Sequence, residues 1–138
     1  MELTIEQALQ QGEAAYKGGR LEDAERLFCA ILQSQPKHPD ANHNLGLIAV
    51  SVNKTDVALP LFKTALEANP QKERFWVSYI DALIKRKQFG SAKKVLEQGK
   101  KAGWTGQKVD ALEGQLLPIP EIKKTNSASP SRQQIDRL

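Results

Sequence analysis

The sequence predicts an all-α protein, a solenoid of three helix hairpins followed by a capping helix. Two observations predict this class. The chain repeats itself with a period of about 34 residues, so that Ala24, Ala58 and Ala92 fall in one column, and prolines end the first two repeats at Pro36 and Pro70. Within each repeat, apolar residues recur at helical spacing. A chain with this pattern buries its apolar residues by stacking one hairpin on the next.

The period sets the predicted domain organisation. The repeats span residues 5–38, 39–72 and 73–106, and a capping helix is expected over about 105–117, which gives a repeat domain of residues 1–117. Residues 118–130 are rich in proline, serine and lysine and are expected to form a linker. Residues 131–138 are expected to begin a further helix, so we expect a longer protein to continue into another repeat array.

Turn and start signals place the helices within a repeat. Asn53 is expected to close the first helix of the second repeat in a left-handed conformation, as Gly19 does in the first repeat. Thr55 is expected to be the N-cap of the partner helix.

Small and aromatic columns indicate how the helices pack. Gly12 and Gly46 are expected to let two helix backbones approach closely, while Phe28 and Phe62 fill the gap to the next pair of helices. The sequence therefore predicts tight hairpins with an aromatic residue between successive pairs.

These columns resemble the tetratricopeptide repeat family over about three quarters of the chain. The resemblance implies a right-handed α-solenoid in which the first helices of successive repeats line a concave groove that holds extended or helical peptides. The residues that carry the resemblance are Gly12, Gly19, Ala24, Phe28 and Pro36 in the first repeat, Leu45, Gly46, Ala58, Phe62, Ala65 and Pro70 in the second, and Trp76, Leu83, Ala92 and Leu96 in the third.

The resemblance also implies which residues line the groove. Apolar side chains there offer contact area, and Gln10 and Asn44 can each donate to and accept from a peptide backbone. We therefore predict a protein–protein interaction module that binds a peptide segment, with self-association as an alternative. The predicted groove residues are Leu9, Gln10, Glu13, Tyr16, His43, Asn44, Leu47, Arg74, Val77, Ser78 and Asp81.

Specialised branches of the family suggest a second function. The stretch HPDANHNLG, residues 38–46, closely resembles repeat openings in O-linked N-acetylglucosamine transferases and in bacterial repeat proteins fused to transferases. The alternative function is therefore a non-catalytic, substrate-presenting region of a larger glycosyl-, methyl- or sulfotransferase. The carboxylate clamp of chaperone-binding members is disfavoured, because Glu13 would repel a C-terminal carboxylate.

His38 and His43 are the candidates for a metal or catalytic site. They are five residues apart, which does not stack them on one helical face, and no cysteine accompanies them. A zinc site would need further ligands in matching geometry. We interpret the stretch as the opening of a repeat, and we predict no metal, no cofactor and no enzymatic activity for this chain.

Basic and acidic residues are unevenly distributed along the chain, and a basic excess can indicate nucleic-acid binding. The net charge is +4, and residues 73–117 carry nine basic and five acidic side chains. Trp76, Tyr79 and Trp104 could stack bases, but Trp76 and Tyr79 are better explained as packing residues. The lysines are therefore interpreted as solvated, and nucleic-acid binding is disfavoured.

Location is predicted from what the sequence does not contain. The apolar runs are only a few residues long, far short of the roughly 20 that span a bilayer, and the N-terminus has no pattern of a secretory signal. The single cysteine, Cys29, cannot form an internal disulfide. These features predict a cytoplasmic protein without a membrane partner.

Overall fold

Seven α-helices and no strand make up residues 3–116, the part of the chain that the computed structural model describes. The first helices of the repeats begin at Ile5, Pro39 and Glu73, at equal intervals along the chain, which confirms the all-α repeat fold. The predicted linker at 118–130 and the further helix at 131–138 lie outside the described residues. The helices are α1 (Ile5–Lys17), α2 (Leu21–Ser34), α3 (Pro39–Ser51), α4 (Thr55–Ala68), α5 (Glu73–Lys85), α6 (Phe89–Lys101) and α7 (Gln107–Leu116).

The chain divides into two compact units. The first unit ends at Gln88 and contains α1 to α5, in which α1 packs on α2, α3 packs on both α2 and α4, and α5 packs on α4. The second unit begins at Phe89 and contains α6 and α7, which pack on each other. In this unit, the Lys100 ammonium donates a 2.5 Å hydrogen bond to Glu113 of α7. The helix α7 lies within the span of about 105–117 expected for the capping helix.

Each hairpin of the first unit buries a phenylalanine ring against a glycine. A Cβ atom added to Gly12 would lie 2.5 Å from Cε1 of Phe28, and the ring of Phe62 crowds Gly46 in the same way. Both rings are almost fully buried. The sequence predicts these rings between neighbouring helix pairs, but it does not predict this contact within the hairpin, where only a glycine leaves enough space.

The alanine column marks an equivalent place in each second helix. Ala24, Ala58 and Ala92 are each the fourth residue of their helix, and each has an exposed fraction of 0%. A larger side chain at these positions would have no room, because protein interiors are close-packed. The column that defined the repeat in the sequence is therefore a packing column in the structure.

The turn inside each hairpin uses one left-handed residue. The φ angles are 81° at Gly19 and 64° at Asn53, which confirms the expected turn. Lys87 has a φ angle of 61° and falls in the same column as Asn53, one repeat later. Lysine is not a residue type that favours this conformation, so only the 34-residue period indicates the left-handed turn at Lys87.

Helix starts differ from repeat to repeat. Thr4 caps α1 with a capping box to Gln7, and His38 Nδ1 accepts a 3.2 Å hydrogen bond from the Ala41 amide at the start of α3. The expectation that Thr55 caps α4 is wrong, because Thr55 is already the first helical residue and its predecessor Lys54 makes no side-chain capping bond. A side-chain oxygen caps a helix from the residue just before the first helical one, where it can accept from the unpaired backbone N–H groups of the first turn.

Asn42 and Trp76 anchor the loop before their helices by different chemistry. Asn42 Nδ2 donates to the carbonyls of Pro36 at 3.1 Å and His38 at 2.9 Å. Trp76, at the equivalent position of the next repeat, donates from Nε1 to the carbonyl of Pro70 at 2.9 Å. Both side chains are buried, and each pairs with a loop carbonyl, of Pro36 or Pro70, that accepts no bond from the backbone of the following helix.

Candidate functional site

The first helices of the three repeats form one continuous surface within the first unit. α3 contacts both α1 and α5. Because the three helices have equal length and equal spacing in the chain, residues one repeat apart form rows that run from one helix to the next. We call this surface the first-helix face, and it contains Leu9, Gln10, Glu13, Tyr16, Asn44, Leu47, Arg74, Val77, Ser78 and Asp81.

The structure leaves these ten predicted side chains at least partly accessible, with Gln10 and Arg74 exposed and the others half-buried. His43 differs from them. Its exposed fraction is 4%, so it lies beneath the first-helix face and a ligand on that face would not touch it directly. The local sequence pattern does not predict this burial, because the residues that cover His43 come from other helices.

Aromatic rings enclose the His43 imidazole. Its ring centroid lies 5.5 Å from that of Phe62 and 4.9 Å from that of Phe75, and its Nε2 atom lies 2.8 Å from the Ser78 hydroxyl. Burial, together with the positive charge of Arg74, lowers the pKa of His43 to about 4. His43 is therefore neutral at pH 7.

The hydrogen bond to Ser78 favours one tautomer of this neutral ring. His43 Nδ1 is buried and has no hydrogen-bond partner among the described residues. A buried acceptor without a partner is tolerated better than a buried N–H group without one. The proton therefore belongs on Nε2, which donates to Ser78, and the Ser78 hydroxyl hydrogen remains available to an acceptor on the first-helix face.

A second polar contact joins α3 to α1. Asn44 Nδ2 donates a 3.2 Å hydrogen bond to a carboxylate oxygen of Glu13. Asn44 and Ser78 belong to the same row as Gln10, so polar side chains cross all three first helices. The contacts from Glu13 to Asn44 and from His43 to Ser78 hold two members of this row in place.

Arg74 is held by an acidic partner. Its guanidinium lies 2.6 Å from the carboxylate of Asp40, and the Lys72 ammonium lies 3.2 Å from the same oxygen. Both cations also lie over the ring of Phe75, at 5.5 and 5.6 Å from its centroid. Burial alone would raise the pKa of Asp40, but the hydrogen bonds and charges of Lys72 and Arg74 outweigh it and lower that pKa. A single carboxylate thus holds two cations in place.

Asp81 is a half-buried carboxylate on the same face. Burial raises its pKa, and the nearby charge of Lys85 opposes that rise. No hydrogen bond or ion pair of Asp81 occurs among the described residues. It is thus an acceptor that a bound donor could use.

Residues 3–116 contain no group of three or more histidine, cysteine, aspartate or glutamate side chains placed to hold a metal ion. None of the helices in this stretch has the length and hydropathy needed to cross a bilayer. The predicted absence of a cofactor and of catalysis stays a prediction.

Comparison with known families identifies the fold. Two tetratricopeptide repeat models match the chain, one at residues 9–51 and one at residues 49–116. Together they cover both units of the described chain, and the protein therefore belongs to the tetratricopeptide repeat family. The resemblance inferred from Ala24, Ala58 and Ala92 is confirmed, while the finer resemblance to transferase repeats is not shown.

Solved structures with a similar fold come from several bacterial systems. The Pseudomonas aeruginosa protein pilF has a TM-score of 0.72 at 19% identity, covering 84% of this chain and 53% of that one. A MamA D159K mutant has a TM-score of 0.67 at 25% identity, covering 84% of this chain and 73% of that one. The Yersinia enterocolitica chaperone SycD, in complex with a peptide of the translocator YopD, has a TM-score of 0.68 at 17% identity, covering 84% and 88%.

One curated relative is much longer than this chain. Over 92 residues, the chain is 27% identical to cellulose synthase operon protein C of Komagataeibacter xylinus, covering 67% of this chain but 7% of that protein. The chain thus spans a small part of this relative and about half of pilF. Family and fold together make the chain a protein-interaction module.

Proposed function

We propose that the first-helix face is a groove that binds a peptide segment of a partner protein. The observation that supports this most directly is the polar row across α1, α3 and α5, in which Asn44 and Ser78 are positioned by Glu13 and His43. A peptide backbone offers donors and acceptors at regular spacing, and such a row can pair with them.

Apolar side chains beside the polar row supply the contact area. Leu9, Leu47 and Val77 are half-buried, so each keeps a surface that a ligand can cover. Burial of apolar surface is worth about 25 cal/mol per Å². Because neighbouring helices already hold these side chains in packed positions, binding would cost little conformational entropy.

The SycD structure supports the same function from a related fold. SycD was solved with a peptide of the translocator YopD, so a protein of this architecture holds a peptide. We extend peptide binding to this chain. From the sequence, we also propose that the chain has no catalytic activity and acts in the cytoplasm. The alternative, a substrate-presenting part of a transferase, gains no support from pilF, MamA, SycD or cellulose synthase operon protein C.

A peptide library displayed on phage tests the proposal. Peptides selected on the wild-type chain would be measured against Leu47→Glu, Asn44→Ala and the control Lys63→Glu, which alters an exposed residue of α4. Leu47→Glu is expected to weaken binding by about 100-fold and Asn44→Ala by about tenfold, because each removes a contact at the centre of the face. Circular dichroism would verify that every variant is folded. Equal binding by the wild type and both face variants would contradict the proposal.

A second copy of the chain is the other partner that the sequence suggests. Light scattering over a dilution series distinguishes it from peptide binding between different proteins. A mass that stays at that of one chain at every concentration excludes a second copy as the occupant. A mass that rises with concentration, and no longer rises in Leu47→Glu, assigns the first-helix face to a second copy.

A further inference from the structure

A cleft of about 380 Å³ opens beside α3, and none of the residues of the first-helix face lines it. α3 packs on both α2 and α4, whereas α2 and α4 have little direct contact, so a space remains between them. α3 forms the floor of this cleft, α2 one wall and the start of α4 the other. The apolar residues that line it are Leu21, Leu45, Ile48, Val52, Val57 and Leu61.

The cleft and the first-helix face are separate surfaces of the same helix. Successive residues of an α-helix are rotated by about 100°. Leu45, Ile48 and Val52 are therefore centred about 100° around the helix from Asn44 and Leu47 taken together. The cleft and the first-helix face share no residue, so variants can test the two sites independently.

Exposed apolar side chains concentrate at this cleft. Among residues 3–116, three large apolar side chains are exposed, and two of them, Val52 at 45% and Val57 at 53%, lie at the cleft. Isolated exposed valines are ordinary, but two that border an apolar cavity form a surface that binding would remove from water. The volume falls in the range of ligand sites in proteins, roughly 300–1,000 Å³.

Uncompensated negative charge lines one wall. Glu22 and Glu25 lie about one turn apart on α2, both are exposed, and neither forms an ion pair among the described residues. The arginines of the same segment, Arg20 and Arg26, form their ion pairs with Asp23 and not with either glutamate. Lys54 is the single basic residue that lines the cleft. The cleft is therefore apolar at its floor and acidic along α2.

We propose that this cleft docks a segment of a partner protein in which aliphatic side chains are followed by basic ones. The aliphatic side chains fill the space over Ile48 and Val52, and the basic side chains reach Glu22 and Glu25. This surface lies outside the first-helix face, so the proposal extends beyond the peptide-binding function proposed above and can fail without it.

Two short synthetic peptides test the proposal by nuclear magnetic resonance. The chain, labelled with nitrogen-15, is titrated with acetyl-Ile-Leu-Lys-Lys-amide and separately with acetyl-Ile-Leu-Glu-Glu-amide, up to millimolar concentration. The lysine peptide is expected to shift amide signals at the start of α2, the end of α3 and the start of α4. It should bind about tenfold more tightly than the glutamate peptide, since ion pairs of exposed carboxylates contribute modestly to binding.

Variants then separate charge from apolar contact. In Glu22→Lys/Glu25→Lys the preference between the two peptides is expected to reverse. The control Glu67→Lys/Glu97→Lys has the same change in net charge at exposed positions that do not line the cleft, and it should keep the wild-type preference. Val57→Asp should weaken both peptides. Val57 is already half exposed, so this variant is expected to remain folded.

Three results would overturn the proposal. In the first, the lysine peptide causes no saturable shift of amide signals. In the second, the two peptides bind with equal affinity. In the third, the shifted amide signals are confined to the first-helix face and the shifts disappear in Leu47→Glu. The third result would support the peptide-binding function while removing the cleft as a site. If Leu47→Glu no longer binds the peptides selected from the library but still binds the lysine peptide in the cleft, the two surfaces are independent.

Discussion

His43 of α3 and Ser78 of α5 are joined by a 2.8 Å hydrogen bond that connects the second repeat to the third beneath the first-helix face. The imidazole that makes this bond is 4% exposed and lies between the rings of Phe62 and Phe75. A buried ring that is neutral in the folded protein and charged in the unfolded chain links stability to pH. The first prediction follows from this link.

Acidification is expected to destabilise the protein through His43. The pKa is about 4 in the folded protein and 6.5 in the unfolded chain, so between these values the unfolded chain binds more protons. Stability therefore falls as the pH drops below about 6.5, and the loss is complete near pH 4. Between pH 7 and about 4.5, protonation of this histidine in the unfolded chain should lower the free energy of unfolding by about 2 kcal/mol.

Urea unfolding at the two pH values measures this cost. His43→Leu places at this position the residue type of its row partner Leu9 and removes the titrating group. The variant should lose about 2 kcal/mol less than the wild type over the same pH interval, whatever its stability at pH 7. The same pH dependence in both proteins would show that His43 is not the group responsible.

An added methyl group at Gly46 is expected to destabilise the second hairpin. The Cβ atom of Gly46→Ala would collide with the ring of Phe62, which has no free space to move into. Overpacking of this kind costs about 2 kcal/mol. Gly114→Ala, at a helical glycine with no atom within 4 Å of the added Cβ, should instead stabilise by about 0.5–1 kcal/mol.

Thermal unfolding of the two alanine variants gives the sign of each effect. The double variant Gly46→Ala/Phe62→Leu should recover part of the loss, because the smaller side chain relieves the collision. A neutral Gly46→Ala would mean that the ring does not occupy the space over Gly46 in solution.

Glycine at position 87 is expected to stabilise the turn after α5. Lys87 has a φ angle of 61°, and a left-handed conformation costs a residue with a Cβ atom about 1 kcal/mol. Lys87→Gly should therefore raise the free energy of unfolding by about 1 kcal/mol, and Asn53→Gly by only a few tenths, since asparagine tolerates this conformation.

Arg86→Gly is the matched control for the turn. Arg86 is the neighbouring residue and has a φ angle of −86°, so glycine there adds flexibility without relieving strain. Chemical denaturation should show a stability loss of about 0.5 kcal/mol for this control. Equal effects of Lys87→Gly and Arg86→Gly would contradict the role given to the left-handed conformation.

The pairing of Asp40 with Lys72 and Arg74 is expected to give a modest, salt-dependent stabilisation. Asp40→Asn should cost about 1 kcal/mol at low ionic strength and less in high salt, because both cations are largely exposed and screened. The pKa of Asp40 is lowered in the folded protein, so this contribution is present at neutral pH and is lost as the pH falls below 3.8.

Asp56→Asn controls for the position of Asp40 in its helix. Asp56 is the second residue of α4, as Asp40 is of α3, so both benefit equally from the helix N-terminus. Asp56 forms no ion pair among the described residues, and its variant should lose less stability and show a weaker dependence on salt. Equal losses measured by urea unfolding would assign the effect of Asp40 to the helix terminus alone.

The sequence by itself determined the repeat, its two-helix units and much of the turn chemistry. Helix formation and left-handed turns depend on neighbours within a few residues, and the column of Ala24, Ala58 and Ala92 recorded a packing constraint three times over. The candidate face could be proposed for the same reason, since residues one repeat apart form rows once the helices have equal length.

The tertiary structure alone decided which of those residues a partner can reach. His43 shares its row with the half-buried Leu9 and Val77, yet Phe62 and Phe75 from α4 and α5 enclose it. The cleft over Ile48 exists because α2 and α4 separate above α3. Burial, ion pairing and cavities depend on contacts between segments that are distant in the chain, and a local pattern of residues does not specify those contacts.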